Sequence, residues 1–331
     1  MTLQQLRLIC EIVHQGLRLS QAAAALHTSQ PGVSRQIQLL ERELGVVIFR
    51  RKRNRILALT EAGKEIVRYA ERALREVHNI RGFGDETRDT RSGDLVIATT
   101  HSHARYTLPR VISAFTSAFP QVRLRFWQGN RDEIFQWVES GEADVAIGTD
   151  CDVRLENVVL LPYGEFHRIV VTPPSHPLLK VKHLSLDEIA RYPLIAYGFR
   201  SNERWKFRHV FEARGLEPNI VFSAADADVS KAYVALGIGV AILPHIAYDA
   251  KFDTHLRARD ARHLFDTEVT HVGLMRDRFI RRYIYDFLNI LSPALTQNNI
   301  KQMFSSPASI RHVSDSTSIA SAIRGLNRMG R

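Results

Sequence analysis

The sequence predicts an α/β protein in which a small basic helical module and one long helix precede a body of two α/β units. Three observations lead to this prediction. Apolar residues recur at helical spacing near the N-terminus, Lys and Arg are concentrated at the two ends of the chain, and short apolar strands alternate with amphipathic helices from residue 94 onward. The 331 residues are enough for two or three domains with cores of their own.

The charge distribution separates a basic N-terminal segment from a neutral body. Residues 1–60 contain nine Lys/Arg and three Asp/Glu, a net charge of +6, and residues 301–331 contain five and one, a net charge of +4. The residues between them balance at 31 against 31. This pattern favours one module that binds a polyanion, although charge alone is equally compatible with an ordinary basic surface.

Composition and cysteine usage predict a globular protein of the cytoplasm. The chain is 45% hydrophobic and 24% charged, it has no apolar run of the roughly 18 residues that cross a membrane, and its first residues lack a signal-peptide pattern. We therefore expect no membrane partner. Cys10 and Cys151 lie far apart in sequence, so we expect neither a disulfide nor a cysteine-based zinc site.

The N-terminal module begins with two predicted helices. Apolar residues at helical spacing predict the first over residues 3–15, with Gly16 ending it; they are Leu3, Leu6, Ile9, Cys10 and Val13. Ser20 is predicted to cap a short helix over residues 21–26 that contains four consecutive alanines. These small side chains allow the close helix crossing of a helix-turn-helix.

The next predicted helix carries the polar side chains of a helix-turn-helix over residues 19–38. Ser29 is the expected N-cap, Pro31 lies in the first turn, and Gly45 ends the helix. The spacing places Val33, Ile37, Leu40 and Leu44 in the core. The opposite face is predicted to meet DNA in the major groove through Thr28, Ser29, Gln30, Pro31, Ser34, Arg35 and Gln38. The alternative is an ordinary helical hairpin with a polar face.

A basic hairpin, or wing, is predicted to follow. Two apolar strand-like runs, residues 46–49 and 56–59, flank a tip with five positive charges in residues 50–55. Such a tip binds the phosphate backbone without selecting sequence, and we assign this role to Arg51 and Arg53.

A long helix is predicted from Thr60 to about Gly82. Ile66, Ala70, Ala73, Val77 and Ile80 follow a heptad-like spacing that suits pairing with the same helix of a second subunit. Packing of this seam onto its own domain is the alternative. The polar residues 83–93 are expected to contain a hinge.

The body is predicted to consist of two strand–helix units with a cleft between them. Predicted strands at 95–99, 122–127 and 143–147 alternate with helices and imply a mostly parallel sheet. A second unit has predicted strands near 167–172, 193–197, 219–223 and 239–243, and helices near 203–213, 226–236 and 279–291. Small ligands of parallel sheets bind beyond the carboxyl ends of the strands.

Polar residues at those strand ends predict a site for a small oxyanion. Thr100, Ser102 and His103 follow the first strand, Thr149 follows the third, and Asn202 follows the strand near 193–197. Ser102 and Asn202 have helix capping as an alternative role, and Asp226 and Asp228 are expected only to cap a helix. His101 and His103 also match a metal-dependent hydrolase, but such a barrel needs eight strand–helix units. We therefore predict no catalytic residue, no metal and no cofactor.

With these elements in place, residues 1–90 resemble the DNA-binding module of LysR-type transcriptional regulators. The resemblance rests on residues 28–34 (TSQPGVS), 39–45 (LLERELG), 49–51 (FRR) and 59–63 (LTEAG). Residues 97–106, 169–173, 226–229 and 283–287 resemble the effector domain of the CysB-like branch of this family, which governs sulfur assimilation. The resemblance spans about residues 1–295.

The resemblance implies three regions: a winged helix-turn-helix domain (1–59), a linker and dimerisation helix with a hinge (60–92), and a periplasmic-binding-protein-like effector domain of two α/β subdomains (93–300). Residues 301–331 lie beyond the resemblance, and their Ser-rich, mildly basic composition predicts a disordered tail. It implies a regulator without enzymatic activity that binds double-stranded promoter DNA as a dimer or tetramer. RNA polymerase is left open as an additional partner of such a regulator. The implied effector is a small anion, sulfate-like or an acyl-serine.

Three positions depart from the family pattern. The family usually has Thr-His-Thr-Gln-Ala-Arg-Tyr where residues 100–106 read THSHARY, and Thr where this chain has Asn202. His103 is therefore expected to add a titratable group and to alter the choice of effector. A regulator with an unrelated effector, and a solute-binding protein for a small anion, are the alternatives; the basic N-terminal module argues against the second.

Overall fold

The computed structural model describes residues 1–52, 55–149, 155–197 and 207–305. The chain divides into two compact units. One consists of Met1–Thr90 with the short segment Asp277–Arg281, and the other contains the remaining residues. Within the described ranges, the helices are too short or too polar to cross a membrane.

The first unit has the predicted winged helix-turn-helix and long helix. Its elements are α1 (Leu3–His14), α2 (Leu19–Ala25), α3 (Gln30–Leu44), β1 (Phe49–Lys52), β2 (Arg55–Leu59) and α4 (Glu61–Arg88). The Ser29 hydroxyl accepts a hydrogen bond from the backbone N–H of Gly32, and Gly45 ends α3 in the left-handed conformation with φ 68°. The predicted N-cap and C-cap of α3 are therefore confirmed.

Three local predictions for this unit are wrong. Ser20 lies inside α2, which begins one residue earlier and has Arg18 at its N-cap without a side-chain cap. Leu44 is 38% exposed, whereas Val33, Ile37 and Leu40 are fully buried. The first wing strand begins at Phe49, because the Glu41 carboxylate on α3 accepts the backbone N–H groups of Ile48 (2.8 Å) and Phe49 (3.1 Å).

The wing and the start of α4 meet at a close backbone contact. The Thr60 hydroxyl caps α4 by accepting from the N–H of Gly63 (2.8 Å) and donates to the carbonyl of Val47 (2.5 Å). A Cβ atom at Gly63 would lie 2.1 Å from the carbonyl oxygen of Ile48. Only glycine therefore fits where α4 passes the wing.

The long helix α4 continues past Gly82 to Arg88, beyond the predicted end. Its first half packs on its own domain: Val67 and Ala70 are buried, and Ile66 and Ala73 contact the same core. The alternative interpretation of the seam therefore holds for this half. Farther along, Ile80 is 72% exposed.

The segment Asp277–Arg281 packs against the second half of α4. The Asn79 side chain donates to the Asp277 carbonyl (2.8 Å) and accepts from the N–H of Phe279 (2.7 Å). Phe83 contacts the Phe279 ring edge-on at 5.8 Å between centroids. These contacts stabilise the helix beyond Gly82, which explains why composition alone predicted an earlier end.

The second unit has two five-stranded mixed sheets. Its strands are β3 (Gly93–Thr99), β4 (Val122–Gln128), β5 (Val145–Thr149), β6 (Val158–Phe166), β7 (Arg168–Thr172), β8 (Leu194–Tyr197), β9 (Ile220–Ala224), β10 (Val240–Pro244), β11 (Arg257–Asp260) and β12 (Glu268–Met275). Its helices are α5 (Leu108–Ala118), α6 (Arg131–Glu139), α7 (Leu186–Ala190), α8 (Arg208–Glu212), α9 (Ala227–Ala235), α10 (Arg282–Leu291) and α11 (Gln297–Ser305). Residues 301–305, expected to begin a tail, therefore belong to a helix.

The strand orders are β4-β3-β5-β12-β6 in the first sheet and β11-β7-β10-β8-β9 in the second. In each sheet three neighbouring strands are parallel, as predicted, and two further strands extend one side through antiparallel pairings. The sequence interpretation did not include β6, β11 and β12, so the prediction of mostly parallel sheets is only half right. The chain crosses between the sheets twice, from β6 to β7 and from β11 to β12.

Candidate functional site

The predicted recognition surface lies around the N-terminal end of α3. Thr28, Gln30, Arg35 and Gln38 are exposed, as are Ser29 and Pro31, and Ser34 is half-buried. The core residues of α3 occupy the opposite face. The surface therefore presents hydroxyl, amide and guanidinium groups beside a helix N-terminus, which is a suitable set for base edges and phosphates.

The wing directs only some of its positive charges outward. Arg50, Lys52 and Arg55 are exposed. Arg51 is half-buried, and its guanidinium forms an ion pair with Glu41 at 3.2 Å. The structure thus gives Arg51, which we assigned to phosphate binding, an internal partner; Arg50 and Lys52 are the more accessible cations. Arg53 lies outside the described residues.

The second candidate site is at the carboxyl ends of parallel strands in the first sheet of the body. Thr100 follows β3 and Thr149 ends β5, and both are half-buried. The register pairs Thr99 with Ile147, and the buried Thr99 hydroxyl donates to the Ile147 carbonyl (2.8 Å). Thr100 and Thr149 are therefore held at the same edge, as predicted.

Ser102 connects this edge to the second sheet. Its hydroxyl is buried and shares a 2.6 Å hydrogen bond with the Tyr197 hydroxyl at the end of β8. The carboxyl ends of β3 and β8 thus face each other across the predicted cleft. Asn202, the predicted contact from the second subdomain, lies outside the described residues.

His103 begins a π-helical turn (His103–Thr107) that leads into α5. Such turns are frequent at functional sites. The imidazole is buried, its Nδ1 lies 3.3 Å from the Thr107 hydroxyl, and burial lowers the pKa of His103 from 6.5 to about 4. His103 is therefore neutral near pH 7, contrary to the expectation that it adds a titratable charge to the cleft.

Asp228 on α9 is the centre of a polar cluster at the cleft. Tyr106 donates to one carboxylate oxygen (2.6 Å), His101 Nε2 lies 3.1 Å from the other, and Arg105 lies at 3.6 Å. The buried ammonium of Lys231 is 3.4 Å away. Asp228 therefore links residues that follow β3 to the helix of the second sheet.

The protonation states in this cluster follow from its contacts. Burial alone would raise the pKa of Asp228, but the hydrogen bonds from Tyr106 and His101 and the charge of Lys231 outweigh it and lower that pKa. Burial, with a further contribution from the Asp228 carboxylate, raises the pKa of Tyr106. Asp228 is therefore an anion and Tyr106 a protonated donor at neutral pH.

The cluster is poorly suited to a cation. His101, Asp226 and Asp228 bring their ligand atoms within 4.8 Å of one another. However, Asp226 already caps α9 through the N–H of Val229 (2.8 Å), and Lys231 places an ammonium beside Asp228. A bound metal would have to compete with that ammonium.

From the sequence, Asp228 was expected only to cap a helix, and no role was predicted for Tyr106 or Lys231. The cap is Asp226, two residues earlier. A second carboxylate in the first turn of a helix was the available signal that one of the two has another partner.

Comparison with known proteins assigns both units of the chain. Residues 3–64 match the family model "Bacterial regulatory helix-turn-helix protein, lysR family", and residues 88–296 match the model "LysR substrate binding domain". These ranges cover the helix-turn-helix surface and the cleft described above.

Close relatives are similar to the chain along nearly its whole length. The HTH-type transcriptional regulator SsuR of Burkholderia cenocepacia is 43% identical over 91% of this chain and 97% of its own. The HTH-type transcriptional regulator CysB of Haemophilus influenzae is 42% identical over 91% of this chain and 93% of its own. Among solved structures, the cofactor-binding domain of the Cbl transcriptional regulator is 38% identical, with a TM-score of 0.59, over 65% of this chain and 95% of that domain.

Proposed function

Because the chain belongs to the LysR family of bacterial helix-turn-helix regulators, we propose that it controls sulfur-assimilation genes in response to a small effector bound between the sheets of its body. As a member of that family the chain is a DNA-binding transcriptional regulator and not an enzyme. Its similarity to SsuR and CysB supports the choice of sulfur metabolism. The alternative of a solute-binding protein is set aside, since residues 3–64 match the regulatory helix-turn-helix model.

The observation that carries the effector proposal is the meeting of two strand edges. Thr100 and Thr149 lie at the carboxyl edge of the first sheet, and Ser102 contacts Tyr197 at the carboxyl edge of the second. Hydroxyl groups at such an edge can hold an oxyanion or an acyl-serine through neutral hydrogen bonds. Thr100, Ser102 and Thr149 are the proposed effector contacts. The buried His103 would stabilise the turn that follows them, and Asn202 is the proposed contact from the second subdomain.

The proposed DNA partner is a promoter site whose bases contact α3 and whose phosphates contact the wing. Arg35 and the hydroxyl and amide groups around it would select bases, while Arg50 and Lys52 would bind phosphates. Ile80, 72% exposed in the second half of α4, offers apolar surface for a second copy of the chain. We propose a cytoplasmic dimer that assembles into a tetramer.

The effector would act by favouring one arrangement of the two sheets. A ligand shifts such an equilibrium only if it binds the two states with different affinity. Contacts from both sheets meet that requirement, because opening the cleft would break one set of them.

Thermal stability of the full chain with added ligands tests the effector assignment. Sulfate, thiosulfate, O-acetylserine and N-acetylserine are titrated against wild type and Thr100→Val. A true effector raises the unfolding midpoint with the logarithm of its concentration above the dissociation constant. We expect this shift in wild type and its loss in Thr100→Val.

Thr116→Val is the matched control, because Thr116 is an exposed threonine on α5 whose hydroxyl donates to the Ile112 and Ser113 carbonyls of its own helix. It should keep the ligand response. An undiminished response in Thr100→Val would remove this residue from the site. No response to any of the four compounds in wild type would replace the sulfur effector with an unrelated one.

A further inference from the structure

A buried arginine lies where the two sheets of the body meet. Arg168 is the first residue of β7, immediately after the crossover from β6, and is 4% exposed. Its guanidinium forms an ion pair with Glu268, the first residue of β12, which is likewise almost buried. The pair therefore joins one crossover to the other.

The strand register places this pair at the edge that holds the proposed effector contacts. Arg168 lies opposite Pro244 at the carboxyl end of β10, a strand parallel to β8. On the first sheet, Thr270 of β12 lies opposite Thr149, the last residue of β5. Because β12 runs antiparallel to β5, Glu268, two residues before Thr270, lies beyond the carboxyl end of β5. Both charges are thus at the carboxyl edges of the sheets, where ligands of parallel strands bind.

The guanidinium is only partly satisfied. Its Nε and Nη1 atoms are buried and have no hydrogen-bond partner among the described residues, while Nη2 contacts Glu268. The guanidinium carbon lies 5.0 Å from the Phe166 ring centroid and 4.8 Å from that of Phe207. Aromatic faces stabilise the cation but accept no N–H in its plane. Buried donors without acceptors destabilise a fold unless another group completes them.

Two observations relate these donors to the cleft. Burial raises the pKa of Tyr197 and the nearby charge of Arg168 opposes that rise, so the guanidinium lies near the residue whose hydroxyl bonds Ser102. In addition, Tyr163 stands at the bulge of β6 beside Thr270, and its buried hydroxyl also has no partner within the described ranges. The edge therefore offers unsatisfied donors as well as the proposed hydroxyl contacts.

We propose that Arg168 is the charge-recognising residue of the cleft and that the effector is a small organic anion whose carboxylate or sulfonate completes the guanidinium. The effector's remaining polar groups would bond Thr100, Ser102 and Thr149. This inference rests on the proposed effector function and adds the residue that recognises the effector's charge. Without ligand, Glu268 neutralises Arg168; with ligand, the carboxylate of Glu268 and the ligand's anionic group compete for one cation.

That competition gives a test that a purely structural ion pair would fail. Glu268→Gln removes the internal negative charge and should tighten binding of an anionic probe, whereas a structural role predicts weaker or unchanged binding. Arg168→Met with Glu268→Gln removes both charges at similar volume and should weaken binding tenfold or more, a change on the order of that for a lost charge-assisted hydrogen bond. The double variant avoids stranding a buried carboxylate.

The experiment is isothermal titration of the full chain with N-acetylserine and with its uncharged amide. Glu188→Gln is the control, since the half-buried Glu188 on α7 forms a 3.0 Å ion pair with the exposed Arg191 that follows the helix. We expect Glu268→Gln to tighten binding of the anion several-fold relative to the amide, the double variant to lose that preference, and Glu188→Gln to change neither.

The outcomes separate this inference from the proposed function. If wild type and both variants bind the anion equally, the effector site stands and Arg168 has no part in it. If wild type binds neither probe while remaining folded by circular dichroism, the proposed acyl-serine effector and the Arg168 assignment both fail. A preference for the amide over the anion would retain the site but overturn recognition of charge.

Discussion

The contact between α4 and the wing makes Gly63 a sharp test of how the DNA-binding module is held together. In Gly63→Ala the new Cβ would lie 2.1 Å from the Ile48 carbonyl oxygen and 2.9 Å from its carbonyl carbon. Both atoms belong to the backbone at the point where Glu41 and Thr60 already hold it, so no side-chain rotation relieves the clash. Either α4 or the wing must move.

The size of the effect follows from that geometry. Forcing an extra carbon into a packed site costs about 1–3 kcal/mol. For a unit of this size each kcal/mol lowers the unfolding midpoint by roughly 4–8 °C. Gly84→Ala is a matched control on the same helix, because a Cβ there has nothing within 4 Å. Alanine at an open helical position stabilises by about 0.5–1 kcal/mol, so the two substitutions should shift the midpoint in opposite directions.

Calorimetry of the full chain measures the transition of this unit, and DNA titration then reports on the wing. Gly63→Ala should unfold earlier and bind DNA more weakly, since Ile48 leads into β1. Gly84→Ala should unfold slightly later with DNA affinity unchanged. Equal midpoints for wild type and Gly63→Ala would refute the close packing of α4 on the wing.

Three further outcomes are expected. Burial lowers the pKa of His103 to about 4 in the folded protein, against 6.5 in the unfolded chain, so the stability contributed by the neutral imidazole is present above pH 6.5 and is lost as the pH falls toward 4, by about 1.4 kcal/mol per pH unit. His103→Gln should therefore make the unfolding midpoint less dependent on pH between 7.5 and 5, and an unchanged pH dependence would contradict this burial. Because folding lowers the pKa of the Asp228 carboxylate, its protonation below about pH 4 costs stability, and Asp228→Asn should abolish that loss and weaken effector binding. Acid titration of the unfolding midpoint measures this, and identical curves for wild type and variant would show that the contacts of Asp228 do not stabilise the fold. Arg35→Ala should weaken specific DNA binding by about 1–3 kcal/mol without altering stability, whereas Arg72→Ala on the exposed face of α4 should not; equal affinities would displace Arg35 from the recognition surface.

Local signals predicted the DNA-binding module well. The cap at Ser29, the left-handed Gly45 and the buried Val33 and Ile37 follow from interactions between near neighbours in sequence. The prediction that Leu44 is buried was wrong because the apolar face of α3 turns away from the core in the last turn of the helix, where Gly45 ends it. The charge of the wing was evident, but the internal pairing of Arg51 with Glu41 depends on tertiary contact between α3 and the hairpin.

Among the described residues, the effector site was predicted only on the side formed by consecutive strand–helix units. Thr100 and Thr149 follow parallel strands, so the rule for strand ends located them. Arg168 and Glu268 are 100 residues apart and meet only because the chain crosses twice between the sheets. That topology depends on the antiparallel strands β6, β11 and β12, which no periodicity indicated. Tyr106 and Asp228 meet for the same non-local reason.

The most direct test of the account is whether effector binding in the cleft changes DNA binding. A DNA site selected from a random library is titrated with the full chain by fluorescence anisotropy, with and without saturating N-acetylserine, for wild type and Thr100→Val. The account predicts a sequence-specific affinity that the ligand alters in wild type and leaves unaltered in Thr100→Val, because binding at the two sites is thermodynamically coupled. A ligand effect of equal size in both proteins, or no sequence preference in either, would contradict it.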